Sequence, residues 1–255
     1  MSTPKYISDN EYYLTDDGNL VHIEHDDWCS SPREWDNLGT FYTWMRGYNS
    51  PDDGRPDSIE SLAYEYGLED VNDSPAKFVG KFNACRGVAL LVYAYDHSGV
   101  CYKASDANPF CDPWDSGIAG VIFATNEKIK KYRMIDEVTQ DVRDAVRECL
   151  VGEVDEYNEW ANGNCHMFTT YDKFGEAIDD CCGFIGNDVE GIAWNCGGLN
   201  ECEFDSLDEF MDAHTNDLDV LERDLDGIDA MIERLRDQRV EVARKIAEHN
   251  MNNAA

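Results

Sequence analysis

GVALLVYAY, residues 87–95, is an unbroken apolar run closed by Asp96-His97-Ser98-Gly99. A run this short, rich in β-branched and aromatic side chains and with no polar alternation, describes a central strand buried on both faces. The four residues after it are turn formers that reverse the chain. A second run of the same kind, 118–124, follows CDPWDSG at 111–117, where Pro113, Trp114, Asp115, Ser116 and Gly117 come in quick succession. In that corner Trp114 is expected to anchor the turn in the core, Asp115 to bond the turn, and Gly117 to free the backbone as the strand begins.

Working outward, Thr125 or Asn126 can cap a short basic helix over 127–133, EKIKKYR. From Ile135 onward Val138, Val142, Val146, Cys149, Leu150, Val154 and Tyr157 keep helical spacing until Asn162-Gly163 ends the pattern. YYLTDDGNLVHIEH at 12–25 has two β-rich runs around Asp-Asp-Gly and predicts a hairpin. A second hairpin is expected from 165–170 and 177–185 through DKFGE, and a short helix over 58–66 after an Asp57 N-cap. This mixed order predicts an α+β fold over 1–200: a mixed or antiparallel sheet with one long helix packed on one face.

Residues 201–255 read differently, as an acidic linker and a heptad helix. Leu218, Leu221, Leu225, Ile228, Ile232, Leu235, Val242 and Ile246 follow alternating three- and four-residue steps, with Arg239 at the one apolar place missing from the series. Such a stripe serves a coiled coil, or it packs on the protein's own sheet. Residues 201–229 carry 12 acidic side chains against Arg223 alone, whereas 230–248 hold Arg234, Arg236, Arg239, Arg244 and Lys245 against four acids. That asymmetry favours an antiparallel homodimer.

Charge bounds the partners. Asp and Glu number 53 against 21 Lys and Arg, a net charge of −32. Nucleic acid and anionic membrane surfaces repel such a chain, so a charged partner should be a basic protein surface, in the sharper reading that of a protein that handles DNA. Residues 76–135 are the exception, with 5 acids and 8 bases. The acidity has two bland readings, solubility and hydration in concentrated salt, and one sharp reading, imitation of duplex phosphates. For the sharp reading Asp205, Asp208, Glu209, Asp212, Asp217 and Asp219 are the expected partner-binding carboxylates.

Catalytic chemistry has weaker support. Asp96, His97, Asp115 and Ser116 supply the residue types of a hydrolase, and this is the enzymatic alternative, but neither Ser98 nor Ser116 sits in a G-x-S-x-G elbow. The ten cysteines contain no C-x-x-C pair. No metal or cofactor is therefore expected, and with no apolar run of ~20 residues and no secretory leader pattern the thiols should be reduced in a cytoplasmic setting, off the membrane. His22, His25, Asp26 and Asp27 read as a solvated cluster at a strand end.

Five ordered blocks carry a resemblance: SPREWDNLGTF (31–41) with the following FYTWMRGYN, LLVYAYDHSGVCY (90–102), CDPWDSGIAGVIFAT (111–125), EVDEYNEWANGNCHMF (153–168) and DDCCGFIG (179–186). Together they resemble an uncharacterised family of proteins encoded by phages, prophages and mobile elements. The resemblance implies a setting inside a microbial host cell and no known activity. In strategy the acidity is similar to that of antirestriction proteins of the ArdA kind, which act as DNA mimics. The expectation is a non-enzymatic accessory protein, an anti-defence factor in its sharpest form, that binds a basic surface of a host protein.

Overall fold

The structure, a computed structural model, describes residues 5–97 and 99–252, apart from the side chains of 219 and 247–252. The fold is α+β. It divides into two units, His25–Met167 with Cys182–Asp188, and Met1–Glu24 with Phe168–Cys181 and Val189–Ala255.

The first unit is built on a four-stranded antiparallel sheet. Its strands are β3 (Thr40–Thr43), β4 (Gly87–Asp96), β5 (Val100–Ser105) and β6 (Ser116–Thr125), in the order β3-β6-β4-β5. The two apolar runs are the central pair, and each is buried from both sides. Along β4, Val88, Leu90, Val92 and Ala94 face one core, where they meet Ile129, Val146, Leu150 and Val154. Ala89, Leu91 and Tyr93 face the other, where Phe78, Phe82 and Phe123 pack with Ile59 and Leu62. Alternation is therefore present in direction but invisible in hydropathy, because both faces are covered.

Helices cover both faces. One is covered by α4 (Gln140–Ala161) and α3 (Asn126–Arg133), the other by α1 (Ile59–Glu65) and α2 (Pro75–Cys85). Helix α2 starts on a Ser74 cap with Pro75 at its first position, and its Phe78 and Phe82, one turn apart, are fully buried. Helix α3 has the expected Thr125 cap. The long helix begins later than the periodicity suggests. Met134 adopts a left-handed backbone, φ 54°, and the Ile135 N–H bonds the Lys130 carbonyl, so Ile135 closes α3 and α4 starts on Thr139. Similarly, the cap of α1 is Ser58, whose hydroxyl accepts the Ser61 N–H at 3.1 Å, and not Asp57.

In the N-terminal hairpin, β1 (Glu11–Leu14) pairs with β2 (Leu20–His25), from Leu14 opposite Leu20 to Glu11 opposite Ile23. Gly18, at φ 85°, makes the reversal. A short β9 (Asn200–Glu201) pairs with β1, and β7 (Cys165–Tyr171) with β8 (Ala177–Ile185) completes a five-stranded sheet ordered β8-β7-β2-β1-β9. The second unit holds α5 (Val189–Cys196), α6 (Leu207–His214) and the 35-residue α7 (Leu218–Asn252). Among the described residues no helix is long and apolar enough to cross a membrane.

Candidate functional site

The corner at 111–117 is held by its own backbone. The Asp112 carboxylate accepts the N–H groups of Trp114 (2.8 Å) and Asp115 (3.2 Å), which hold its carboxyl below the ordinary range. Asp112, and not Asp115, is thus the residue that bonds the turn. The Asp115 carbonyl accepts the Asp96 N–H at 2.9 Å and ties β4 to β6. Trp114 is not a core anchor: it is 91% exposed, and the turn closed by the Asp112 carboxylate does without a side chain beneath it. Gly117 is already a strand residue paired with Ala94, needs no left-handed backbone, and has open space where a Cβ would stand.

The enzymatic candidates are only partly assembled. His97 Nδ1 lies 3.2 Å from Asp115 Oδ2, with both side chains substantially exposed. The Ser116 hydroxyl donates to the Asp112 carbonyl and accepts from Asn108 Nδ2 at 2.9 Å. Its proton is directed at a carbonyl oxygen, not at the imidazole, so among the described residues the His–Asp pair has no activated hydroxyl beside it. Asp96 accepts the Tyr48 hydroxyl at 3.0 Å. Ser98 lies outside the described residues.

A more developed site lies along one flank of α4. After β2, the turn Pro32–Glu34 carries Arg33, whose side chain is only 4% exposed. Its guanidinium donates through Nε and Nη2 to the two oxygens of Asp52 (2.7 and 2.9 Å), through Nη1 to Glu153 (2.9 Å), and through Nη2 to the Gly39 carbonyl (2.9 Å). Burial opposes the charge of Arg33, but its bonds to Asp52 and Glu153 outweigh burial and push its pKa up. Glu153 also accepts the Leu38 and Gly39 N–H groups, and Asp52 accepts that of Phe41. Two loops are thereby fastened to one turn of α4.

These fastenings leave an open groove of about 990 Å³. On α4, Glu153, Glu156, Tyr157 and Trp160 stand at positions i, i+3, i+4 and i+7, one face of the helix. Tyr157 and Trp160 line the groove with their ring centroids 5.6 Å apart, and Tyr48, Glu34, Asp53 and Arg55 line the rest. Arg55 donates to the Thr43 carbonyl at 2.6 Å and lies over the Trp44 ring. Arg33 is thus neutralised within the protein, whereas among the described residues the exposed Arg55 and the acids Glu34 and Asp53 have no ion-pair partner. Next to the lining, Glu156 has its carboxyl pushed up, first by burial and then by Glu153. Aromatic rings with unpaired carboxylates suit a cationic side chain. No periodicity or spacing announced this site; the only sequence signal was the polar-aromatic density of 31–57.

The remaining candidates are dispersed. Asp26 is not solvated but buried, accepting the N–H groups of Trp28 (3.0 Å) and Gly183 (2.9 Å). Among the described residues no disulfide joins any of the ten cysteines. The Cys29 and Cys165 thiols are neighbours, and burial is the main cause that pushes Cys165 up to about 12. Among the described residues no group of three or more His, Cys, Asp or Glu could hold a metal ion.

The acidic tail segment is partly committed to its own helix ends. Ser206 caps α6, and Glu209 on that first turn accepts the Asp205 N–H at 2.9 Å. Asp208 sits on the same turn, where a negative charge complements the helix dipole. Asp212 is exposed and Asp217 half-buried, and the side chain of Asp219 lies outside the described residues. The heptad positions Leu218, Leu221, Leu225, Ile228, Ile232, Leu235, Val242 and Ile246 are all exposed, between 40% and 72%.

Comparison with known protein-family models, with curated proteins and with solved structures finds no match for this chain.

Proposed function

We propose that this chain is a non-enzymatic binding protein that engages a basic surface of a partner protein, with the groove on α4 receiving a Lys or Arg side chain. The observation that carries this reading is the groove's division of charge: Arg33 is buried in its ion pairs and Arg55 is tied to the Thr43 carbonyl, while Glu34, Asp53 and the Tyr157 and Trp160 rings line the opening. A net charge of −32 supports it by drawing basic surfaces in and keeping nucleic acid and anionic membranes away. The virus or mobile-element setting, the host cytoplasm and the DNA-mimic version, in which the partner's own DNA site is occupied, rest on the resemblance of the five sequence blocks and on acidity.

Calorimetric titration of the full chain with an octa-arginine peptide at ~0.15 M salt, where the screening length is ~8 Å, tests the groove. Binding is expected, and Glu34→Gln with Asp53→Asn should weaken it about tenfold more than removal of two acids elsewhere, Asp212→Asn with Glu222→Gln. Equal losses in the two double variants, or no binding at that salt, would overturn the groove reading. A second reading, hydrolysis, is favoured only by the His97–Asp115 pair. Turnover of an ester or phosphodiester that disappears in His97→Ala while the fold is intact would establish it instead.

A further inference from the structure

We infer that α7 pairs antiparallel with α7 of a second copy of this chain, in one register set by charge. The helix runs Leu218–Asn252, and its whole apolar seam is exposed. Near its start Arg223 pairs with Glu176 and lies 4.5 Å from the centre of the Phe174 ring. With Leu218 taken as the first seam position, Arg223 stands on the opposite side of the helix. The tail therefore touches its own unit with its polar back and turns the seam outward, which removes the reading in which the seam packs on the chain's own sheet. A solvated apolar seam of this length is unfavourable, and two-stranded pairing is the arrangement a heptad serves.

The sequence on the flanks of the seam selects the orientation. In an antiparallel pair with Leu225 opposite Val242, Leu221 faces Ile246, Ile232 faces Leu235, and Arg239 enters the layer of Ile228. The flanking positions then join Asp224 to Lys245 and Asp229 to Arg236, each twice per dimer, and Arg239 can extend its stem past Ile228 toward the same Asp229. A parallel in-register pair does the reverse. It sets Asp224 against Asp229 and Asp217 against Glu222 across the interface, and buries two Arg239 guanidiniums in one layer. Shifting the antiparallel pair by one heptad, with Leu225 opposite Leu235, brings Asp229 against Asp229 and leaves Ile246 uncovered. Only the first arrangement satisfies both the seam and its flanks.

The proposal does not depend on the groove, and its test uses the full chain. Light scattering reads the stoichiometry, and a one-to-one mixture of 14N- and 15N-labelled protein treated with a carbodiimide reads the orientation, because that reagent joins a carboxylate to a touching lysine. A dimer giving mixed-isotope peptides that link Asp224 to Lys245 is the expected result. Lys245→Glu should raise the dimer dissociation constant at least fivefold, and adding Asp224→Lys should restore it. A monomer at all concentrations overturns the pairing, whereas a dimer without the Asp224–Lys245 link, and indifferent to both variants, overturns the orientation and register.

Discussion

Arg33 and Asp52 form a two-pronged ion pair, Nε to Oδ1 at 2.7 Å and Nη2 to Oδ2 at 2.9 Å, and Asp52 is in turn bonded to the Phe41 N–H. The guanidinium also holds Glu153 and the Gly39 carbonyl, so its removal strands two carboxylates in a half-buried setting. Arg33→Ala should cost about 3–5 kcal/mol in chemical denaturation, the range for breaking a buried pair from one side. Arg33→Lys should recover only a minor part, since an ammonium cannot reproduce the planar fork. A loss under 1 kcal/mol for Arg33→Ala would mean that the loops hold without it.

Glu156 supplies a pH test. Burial, then the neighbouring Glu153, pushes its carboxyl up, so the folded chain binds this proton more tightly than the unfolded chain. Its contribution to stability is full below the unfolded glutamate range and is lost as pH rises through the folded pKa. Glu156→Gln should therefore be more stable than the parent at pH 7 and indistinguishable from it near pH 3.5. Denaturation midpoints at the two pH values check this, and an advantage of equal size at both would refute it.

What the sequence disclosed and what it hid have separate physical causes. Strands β4 and β6 were legible because covering both faces of a strand makes it apolar throughout. Helices α4 and α7 were legible because one-sided burial and one-sided seams impose a period. Helix α2 was passed over, since Lys77, Lys81 and Asn83 dilute its two phenylalanines, although Ser74-Pro75 was a usable start signal. Strand β3 is four residues long, too short to show a pattern. The groove was hidden for another reason. Arg33, Asp52 and Glu153 are up to 120 positions apart, and each alone reads as an ordinary surface charge. Trp114 misled because hydrophobicity suggests burial, whereas a turn closed by Asp112 needs no side chain beneath it.

Ser116→Ala separates structure from catalysis at the corner. The hydroxyl bridges the Asp112 carbonyl and Asn108 near solvent, so its loss should cost at most about 1 kcal/mol. Thermal denaturation should register that small change, while octa-arginine affinity stays within twofold of the parent. A collapse of binding would place this corner, not the α4 groove, at the partner interface.

Two glycines should respond in opposite ways. A Cβ at Gly39 would stand 2.6 Å from Leu150 Cδ2 and 2.8 Å from Glu153 Oε2, which is itself held by Arg33 and the Gly39 N–H. Neither neighbour can retreat cheaply, because Leu150 is fully buried and Glu153 is pinned by its bonds. Gly39→Ala should therefore cost about 1–3 kcal/mol and disturb the loop that forms the groove wall. At Gly117 the backbone is extended strand with open space around the absent Cβ, so Gly117→Ala should be neutral or stabilise by roughly 0.4–1 kcal/mol through the unfolded chain. Urea denaturation of the pair decides both: a tolerant Gly39 would loosen the packing assigned to the Arg33 cluster, and a costly Gly117 would show a constraint at the corner beyond its backbone.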